Sequence, residues 1–272
     1  MGKVLAQPTH HPLFMGVHTR IHKQRLDQVM VSLGLAESRE RAVRMILAGE
    51  VRVDGMVVDK PAKAISPAAS IVLGSSSPRF VSRGGEKLAA ALDAGGIDPR
   101  GLVCLDVGCS TGGFTDCLLQ RRASRVYAVD VGYGQFDWRL REDPRVVLME
   151  HTNIRYLAAS AVPEPIDLAV IDVSFISLTK VLPAILPLLA SGATVVALVK
   201  PQFEVGKGEV GRGGIVRDER LRQEAVRRIV DCAVGLGLTL VTTLDSPLKG
   251  KKGNQESFVV VKRGKAGPAG PN

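Results

Sequence analysis

One stretch of the chain combines residue types and spacing that suit a catalytic or cofactor role: Leu102-Val-Cys-Leu-Asp-Val-Gly-Cys-Ser-Thr-Gly-Gly-Phe114. An apolar run reaches an acid, Asp106, passes through a glycine turn from Gly108 to Gly113, and continues as helix-compatible Phe114-Thr-Asp-Cys-Leu-Leu-Gln120. Strand, glycine loop and helix in that order form the first unit of an open α/β sheet, with a ligand crevice at the strand's carboxyl end. Three chemistries use such a loop. A dinucleotide site needs G-x-G-x-x-G so that backbone can approach a pyrophosphate, and here Ser110 stands at the middle glycine. A hydrolase elbow needs G-x-S-x-G, which Gly108-Cys-Ser110-Thr-Gly112 matches literally. It also needs a later acid and histidine. His151 is the only histidine after Ser110, and no candidate strands precede the loop in its domain, so the elbow is rejected. The third chemistry is S-adenosyl-L-methionine binding. That ligand has no phosphate, so an acid before the turn is tolerable. The next strand, Arg125-Val-Tyr-Ala-Val-Asp130, ends in a carboxylate suited to ribose hydroxyls. The cofactor candidates are Asp106, Gly108, Ser110, Thr111, Gly112, Gly113 and Asp130. Asn153 joins them after a third strand, where adenine recognition is expected in this fold. A tight turn with no cofactor explains the bare glycine motif too. Four further charges stand at element ends: Lys87 near a helix start, Asp172 and Lys200 at carboxyl ends of strands, and Glu256 beside a turn. Any one of them is an ordinary exit from the core; together with a cofactor loop they could converge.

The elements that must position these residues can be read in order. The length suits one full domain and a small one, and 45% apolar residues suffice for a core. Aromatics make up only 4%, so stacking of bases on an aromatic platform is not the obvious binding mode. A net charge of +9 points to an anionic partner, nucleic acid first. Cys104, Cys109, Cys117 and Cys232 form no C-x-x-C and no histidine pairing, so they read as reduced thiols in a cytoplasmic protein. No stretch is apolar for long enough to span a membrane, and no metal site is expected. Residues 1–18 read as a flexible arm, 19–75 as a compact basic domain, 76–79 as a linker, 80–263 as the α/β domain and 264–272 as a tail. In the basic domain two helices (25–33 and 39–48) precede short strands at 50–54, 56–58 and 71–73. Arg39, Arg41 and Arg44 leave the second helix while Ala42, Met45 and Ile46 stay apolar, and Arg25 opens the first. Such a face can track RNA phosphates; a solvated face explains it as well. In the larger domain, strands end at Asp130, Met149, Asp172 and Val199, a helix is expected over 177–189 and another over 218–235, and strands 238–243 and 256–261 form a closing hairpin. Its turn carries Lys249, Lys251 and Lys252, which could hold RNA phosphates or simply be solvated. The expected fold is a Rossmann-like doubly wound sheet with a small N-terminal α+β domain.

Two resemblances sharpen this reading. The R-L-D opening, the run S-R-x-x-A-x-x-x-I-x-x-G-x-V-x-V-D-G and Lys60-Pro61 resemble the small RNA-binding module first known from a ribosomal protein. The motifs F-V-S-R-G-G-E-K-L, L-D-V-G-C-S-T-G-G-F-T-D, V-D-V-G-Y-G-Q, V-I-D-V-S-F-I-S-L, V-K-P-Q-F-E and K-G-N-Q-E together resemble the TlyA family, also labelled hemolysin A, among the FtsJ-like ribose methyltransferases. The resemblance covers about residues 19–262. It implies transfer of a methyl group from S-adenosyl-L-methionine to the ribose 2′-oxygen of a cytidine in ribosomal RNA, with ribosomal subunits as partners. The family's Lys-Asp-Lys-Glu tetrad falls on Lys87, Asp172, Lys200 and Glu256. Cys109 stands where alanine is more usual, and the arm before residue 19 lies outside the resemblance. The competing readings are a non-catalytic ribosome assembly factor, against which the complete tetrad argues, and a membrane-lytic protein, for which no amphipathic or spanning segment is found.

Overall fold

The computed structural model of the protein describes residues 23–47, 49–74, 79–250 and 252–264. The expected arm (1–18), residues 76–78 of the expected linker, residues 265–272 of the expected tail, and Lys251 lie outside the described residues. Two compact units divide after residue 78.

The first unit is held by a small apolar core. β1 (Gln24–Arg25) leads into α1 (Leu26–Ser32), and α2 (Arg39–Leu47) packs against it. β2 (Val51–Val53) lies between β3 (Met56–Val57) and β5 (Ile71–Leu73), while β4 (Ala64–Ile65) pairs with β1. Leu26 and Met30 of α1, Ala42 and Ile46 of α2, and Val51 and Val53 of β2 form its centre. The three- and four-residue spacing on the helices and the two-residue spacing on β2 turn these side chains inward. Arg41 and Arg44 fall on the opposite, exposed side of α2. β1 and β4 are only two residues long, too short to show any alternation in sequence.

The second unit contains α3 (Arg83–Ala94), β6 (Val103–Val107), α4 (Gly113–Gln120), β7 (Arg125–Val129), α5 (Trp138–Arg141), β8 (Val146–Met149), β9 (Ile166–Ile171), α6 (Leu182–Ile185), β10 (Leu189–Val199), α7 (Pro201–Glu204), α8 (Glu219–Gly235), β11 (Leu238–Asp245) and β12 (Ser257–Arg263). The strands form one sheet in the order β11-β12-β10-β9-β6-β7-β8, parallel except at β12, which runs antiparallel to both of its neighbours. The order reverses between β6 and β9, and this switch point is where open α/β sheets receive ligands. Strand period assigns each residue to a face. Leu105, Val107, Ala169, Ile171, Val195 and Ala197 pack on one side with α6 and α8. Cys104, Leu168, Val170, Val196, Leu198, Phe258 and Val260 pack on the other with Leu88 and Leu92 of α3 and Leu118 of α4.

The continuous helix expected over 177–189 is not formed. The segment is a 3₁₀ turn at Leu178–Lys180, the single turn α6, and a second 3₁₀ turn at Leu186–Leu188. Pro183 and Pro187 lack the N–H groups that a continuous ladder needs. β10 begins at Leu189, earlier than expected, with an irregular register between Leu189 and Thr194.

Candidate active site

The glycine loop closes tightly over the switch point. Gly108 has φ +85°, and a Cβ there would come within 2.6 Å of the Asp172 carbonyl oxygen. Only glycine combines that backbone conformation with that approach. Ser110 also takes a positive φ of 47°, and its N–H donates to Asp130 Oδ2 at 2.8 Å. Gly132 N–H donates to Asp130 Oδ1 at 2.7 Å. Each carboxylate oxygen keeps accepting capacity for a ligand while the two amides fix its plane. Beyond the loop a cavity of about 860 Å³ runs along the carboxyl ends of β6, β7 and β9. Gly108, Ser110, Asp130, Asn153 and Asp172 line it. Asn153 Oδ1 accepts from Arg155 N–H at 3.1 Å, which sets the side chain's orientation.

Not all of the expected loop residues face this cavity. Thr111, Gly112 and Gly113 are outside its lining; Gly112 is the N-cap of α4, with φ +92°. Asp106 is fully buried beneath α4, because it shares the face of Cys104, and its Oδ2 accepts from Thr115 Oγ1 at 2.7 Å. Its Oδ1 has no hydrogen-bond partner. Burial first, with Asp172 and Asp130 nearby, pushes the Asp106 carboxyl up to about 7, against the favourable bond from Thr115. Asp106 thus braces the loop from below.

That carboxyl has a consequence for stability. An acid whose folded pKa lies above its unfolded value holds its proton more tightly when folded. The stability this confers is complete below about 4 and lost as pH rises through about 7. The interval from 3.8 to about 7 bounds the loss at roughly 4 kcal/mol, at about 1.4 kcal/mol per pH unit. Asp106→Asn cannot ionise and keeps an acceptor for Thr115. Its melting temperature relative to the parent is expected to climb between about pH 4 and 7 and then level off. A difference that stays flat with pH would refute the assignment.

The four charged candidates meet as two ion pairs. Lys200 Nζ lies 2.5 Å from Asp172 Oδ1 and donates to Ser174 Oγ at 2.9 Å. Asp172 Oδ1 is buried against the Lys200 ammonium, while Asp172 itself belongs to the cavity lining. Lys87 Nζ donates to Glu256 Oε2 at 2.6 Å, both side chains being buried. Asp172 follows β9, Lys200 follows β10, and Glu256 precedes the antiparallel β12, so all three stand at the same edge of three adjacent strands. Neighbouring strands lie about 4.8 Å apart, which keeps these three positions close. Gly250 packs directly on Glu256 Oε1 and leaves no room for a side chain.

The turn before β12 holds Lys249 and Lys252 exposed. Asn254 anchors that turn: it is buried, accepts from Val216 N–H at 2.8 Å and donates to Gly214 O at 2.8 Å. In the first unit, Arg25 and Arg39 both bond to Asp27, while Arg41 and Arg44 extend from α2 without an ion-pair partner among the described residues.

Sequence reading gave no role to several residues here. Phe175 lines the cavity mouth, is 91% exposed, has φ +65°, and lies 5.1 Å from the Phe203 ring centroid. An exposed phenylalanine in left-handed backbone is a costly placement, and such outliers cluster at binding sites. Arg155 and Lys180 add cationic charge to the same lining. The D-V-S-F-I-S motif contained Phe175, but its exposure follows only from the turn.

Comparison with known proteins agrees with this geometry. Residues 80–263 match the model of the FtsJ-like methyltransferase family, and residues 24–71 match the S4 domain. The chain is 49% identical over 238 residues to the 16S/23S rRNA (cytidine-2'-O)-methyltransferase TlyA of Mycobacterium tuberculosis, covering 87% of this chain and 89% of the relative. It is 43% identical over 237 residues to Hemolysin A of Brachyspira hyodysenteriae, covering 85% and 97%. A solved structure from Streptococcus thermophilus, described as a hemolysin, superposes with a TM-score of 0.71 at 40% identity, covering 90% of each chain. Among the described residues no helix is long and apolar enough to cross a membrane. The chain belongs to the FtsJ-like methyltransferase family, in the TlyA branch that couples this catalytic unit to an S4 domain.

Proposed function

We propose that the chain methylates the ribose 2′-oxygen of a cytidine in ribosomal RNA, using S-adenosyl-L-methionine, with ribosomal RNA or ribosomal subunits in the cytoplasm as its partner. The observation that carries the reading is the pair of ion pairs at one sheet edge, beside a cavity at the switch point. The cavity suits a nucleoside with a charged amino-acid tail. Asp130 offers two oxygens for ribose hydroxyls, Asn153 sits where a base edge would be read, and the Gly108–Ser110 backbone allows close approach. When bound, S-adenosyl-L-methionine supplies an already activated sulfonium methyl group.

The chain's own residues then have to orient and activate a poor nucleophile. Asp172, whose carboxylate lines the cavity, accepts the hydrogen bond of the 2′-hydroxyl, aims its oxygen at the methyl group, and takes the hydroxyl proton as that oxygen gains the methyl. Lys200, held against Asp172 and Ser174, presents its ammonium to the negative charge that develops on that oxygen. Lys87 of α3 and Glu256, immediately before β12, hold the ribose. Phe175 offers a face on which the target base can stack once it leaves its helix, and unstacking is what access to a paired nucleotide requires. Arg25, Arg39, Arg41 and Arg44 of the S4 domain, with Lys249 and Lys252 of the turn, bind phosphates; Lys251 belongs to the same turn by sequence. Residues 19–75 are proposed as the RNA-binding domain and 80–263 as the methyltransferase domain.

The test is incubation with labelled S-adenosyl-L-methionine and, separately, unmodified small and large ribosomal subunits. Label is expected in RNA, as an alkali-resistant linkage at the methylated nucleotide. No label on either subunit, despite measured cofactor binding, would overturn the ribosomal substrate.

A further inference from the structure

Asp27 has an environment that the methyl-transfer reading does not require. It lies in the first turn of α1 and is fully buried, yet its carboxylate binds two arginines from different elements. Arg25, at the end of β1, donates through Nε at 3.0 Å and Nη2 at 2.8 Å; Arg39, the first residue of α2, donates through Nε at 3.0 Å. The next backbone amide, Gln28 N–H, also bonds to Oδ1 at 3.0 Å. The guanidinium of Arg25 first, and that of Arg39, hold the Asp27 carboxyl at about 2 against the cost of burial. The carboxylate is therefore ionised at any working pH.

A buried acid is poor material for stability alone, since an apolar residue of similar size usually serves a core better. What Asp27 does provide is geometry. The arginine side chains remain 42% and 57% exposed, so their outer edges face solvent. Of the five N–H groups on a guanidinium, Arg25 commits two to Asp27 and Arg39 commits one, which leaves three and four for a ligand. Two forks fixed on one carboxylate suit the two non-bridging oxygens of a phosphodiester. We propose that Asp27 is a positioning residue that holds Arg25 and Arg39 as a paired clamp for one phosphodiester of the RNA. The proposal rests on the reading that the S4 unit binds RNA.

The clamp reverses the sign expected from charge alone. Asp27→Asn removes a negative charge from an RNA-binding surface, and simple electrostatics requires tighter binding. If Asp27 positions the arginines, the variant must order both of them on binding and is expected to bind about tenfold more weakly. The probe is unmodified ribosomal RNA, titrated with the full chain from about 50 to 200 mM salt. Arg25→Gln, Arg39→Gln and the double variant are each expected to lower the salt slope by about 1, because both cations serve one phosphate. Should Asp27→Asn fail the circular dichroism check of folding, Arg39→Lys takes its place: it keeps the charge, loses the fork, and should bind more weakly at an unchanged slope. Folded Asp27→Asn that binds as tightly as the parent or tighter would overturn the clamp, as would a double variant whose slope falls by about 2. Methyl labelling of the parent separates the two readings. Weakened binding by Asp27→Asn with no labelled RNA leaves the clamp standing and removes the ribosomal target; normal labelling with tighter binding does the reverse.

Discussion

Lys200→Ala is expected to slow single-turnover methyl transfer by about 10³-fold or more while cofactor affinity stays within a few-fold. The two effects separate because Lys200 stands next to the cavity without lining it, whereas Asp172 belongs to both places. The ribose oxygen must carry negative charge at the moment the methyl group moves. An ammonium fixed by Asp172 and Ser174 meets that charge without reorganising, and removing one such donor from a preorganised site typically costs 10²–10³ in rate, or about 3–4 kcal/mol. Alanine also leaves Asp172 without its counter-ion, which adds to the loss. Lys200→Arg should not rescue. The planar fork cannot occupy the position of a compact ammonium 2.5 Å from Asp172 Oδ1 and 2.9 Å from Ser174 Oγ. The measurement is a burst with enzyme in excess over unmodified subunits, paired with calorimetry of cofactor binding. Unchanged single-turnover rates in Lys200→Ala would refute the role. Loss of cofactor binding in step with rate would move Lys200 from the reaction to the cofactor.

Much of this site was legible because strands repeat every second residue. Leu168, Val170 and Asp172 share a parity, as do Val196, Leu198 and Lys200, and Glu256, Phe258 and Val260; the apolar members of each set pack on the face that α3 covers. α3 carries Lys87, so the alternation that sorts the core also aims the charged ends at one place. The same rule explains Asp106, which the sequence suggested as a cofactor contact. It shares the parity of Cys104 and therefore falls under α4, while its neighbours Val107 and Gly108 line the cavity. Sequence pattern failed where chain direction depends on a turn. Phe175 owes its exposure to a left-handed backbone conformation that no periodicity reveals. The basic face of α2 was visible, but Arg25 and Arg39 converge only because a two-residue strand and a helix start meet at Asp27.

The second large effect concerns stability. Glu256→Ala is expected to destabilise the α/β unit by about 3–5 kcal/mol, because it leaves the largely buried Lys87 ammonium without its carboxylate partner. For a domain of this size that corresponds to a fall in melting temperature of roughly 6–20 °C. The paired replacement Lys87→Met with Glu256→Leu should recover most of this loss, since removing both charges removes the desolvation that each had to offset. It should not recover methyl transfer. Thermal melts and single-turnover rates on the two single variants and the pair form a double-mutant cycle that separates the two roles. Stability returning without activity would mean that the buried pair is kept for what it does to the ribose, at some cost to the fold. Activity returning with stability would mean that Lys87 and Glu256 only hold α3 against β12, and the chemistry would contract to Lys200 and Asp172. The geometry favours the first outcome. A buried ion pair at 2.6 Å, with glycine packed against Glu256 Oε1 and the Lys200–Asp172 pair at the ends of the neighbouring strands, is placed where an apolar core would have served folding better.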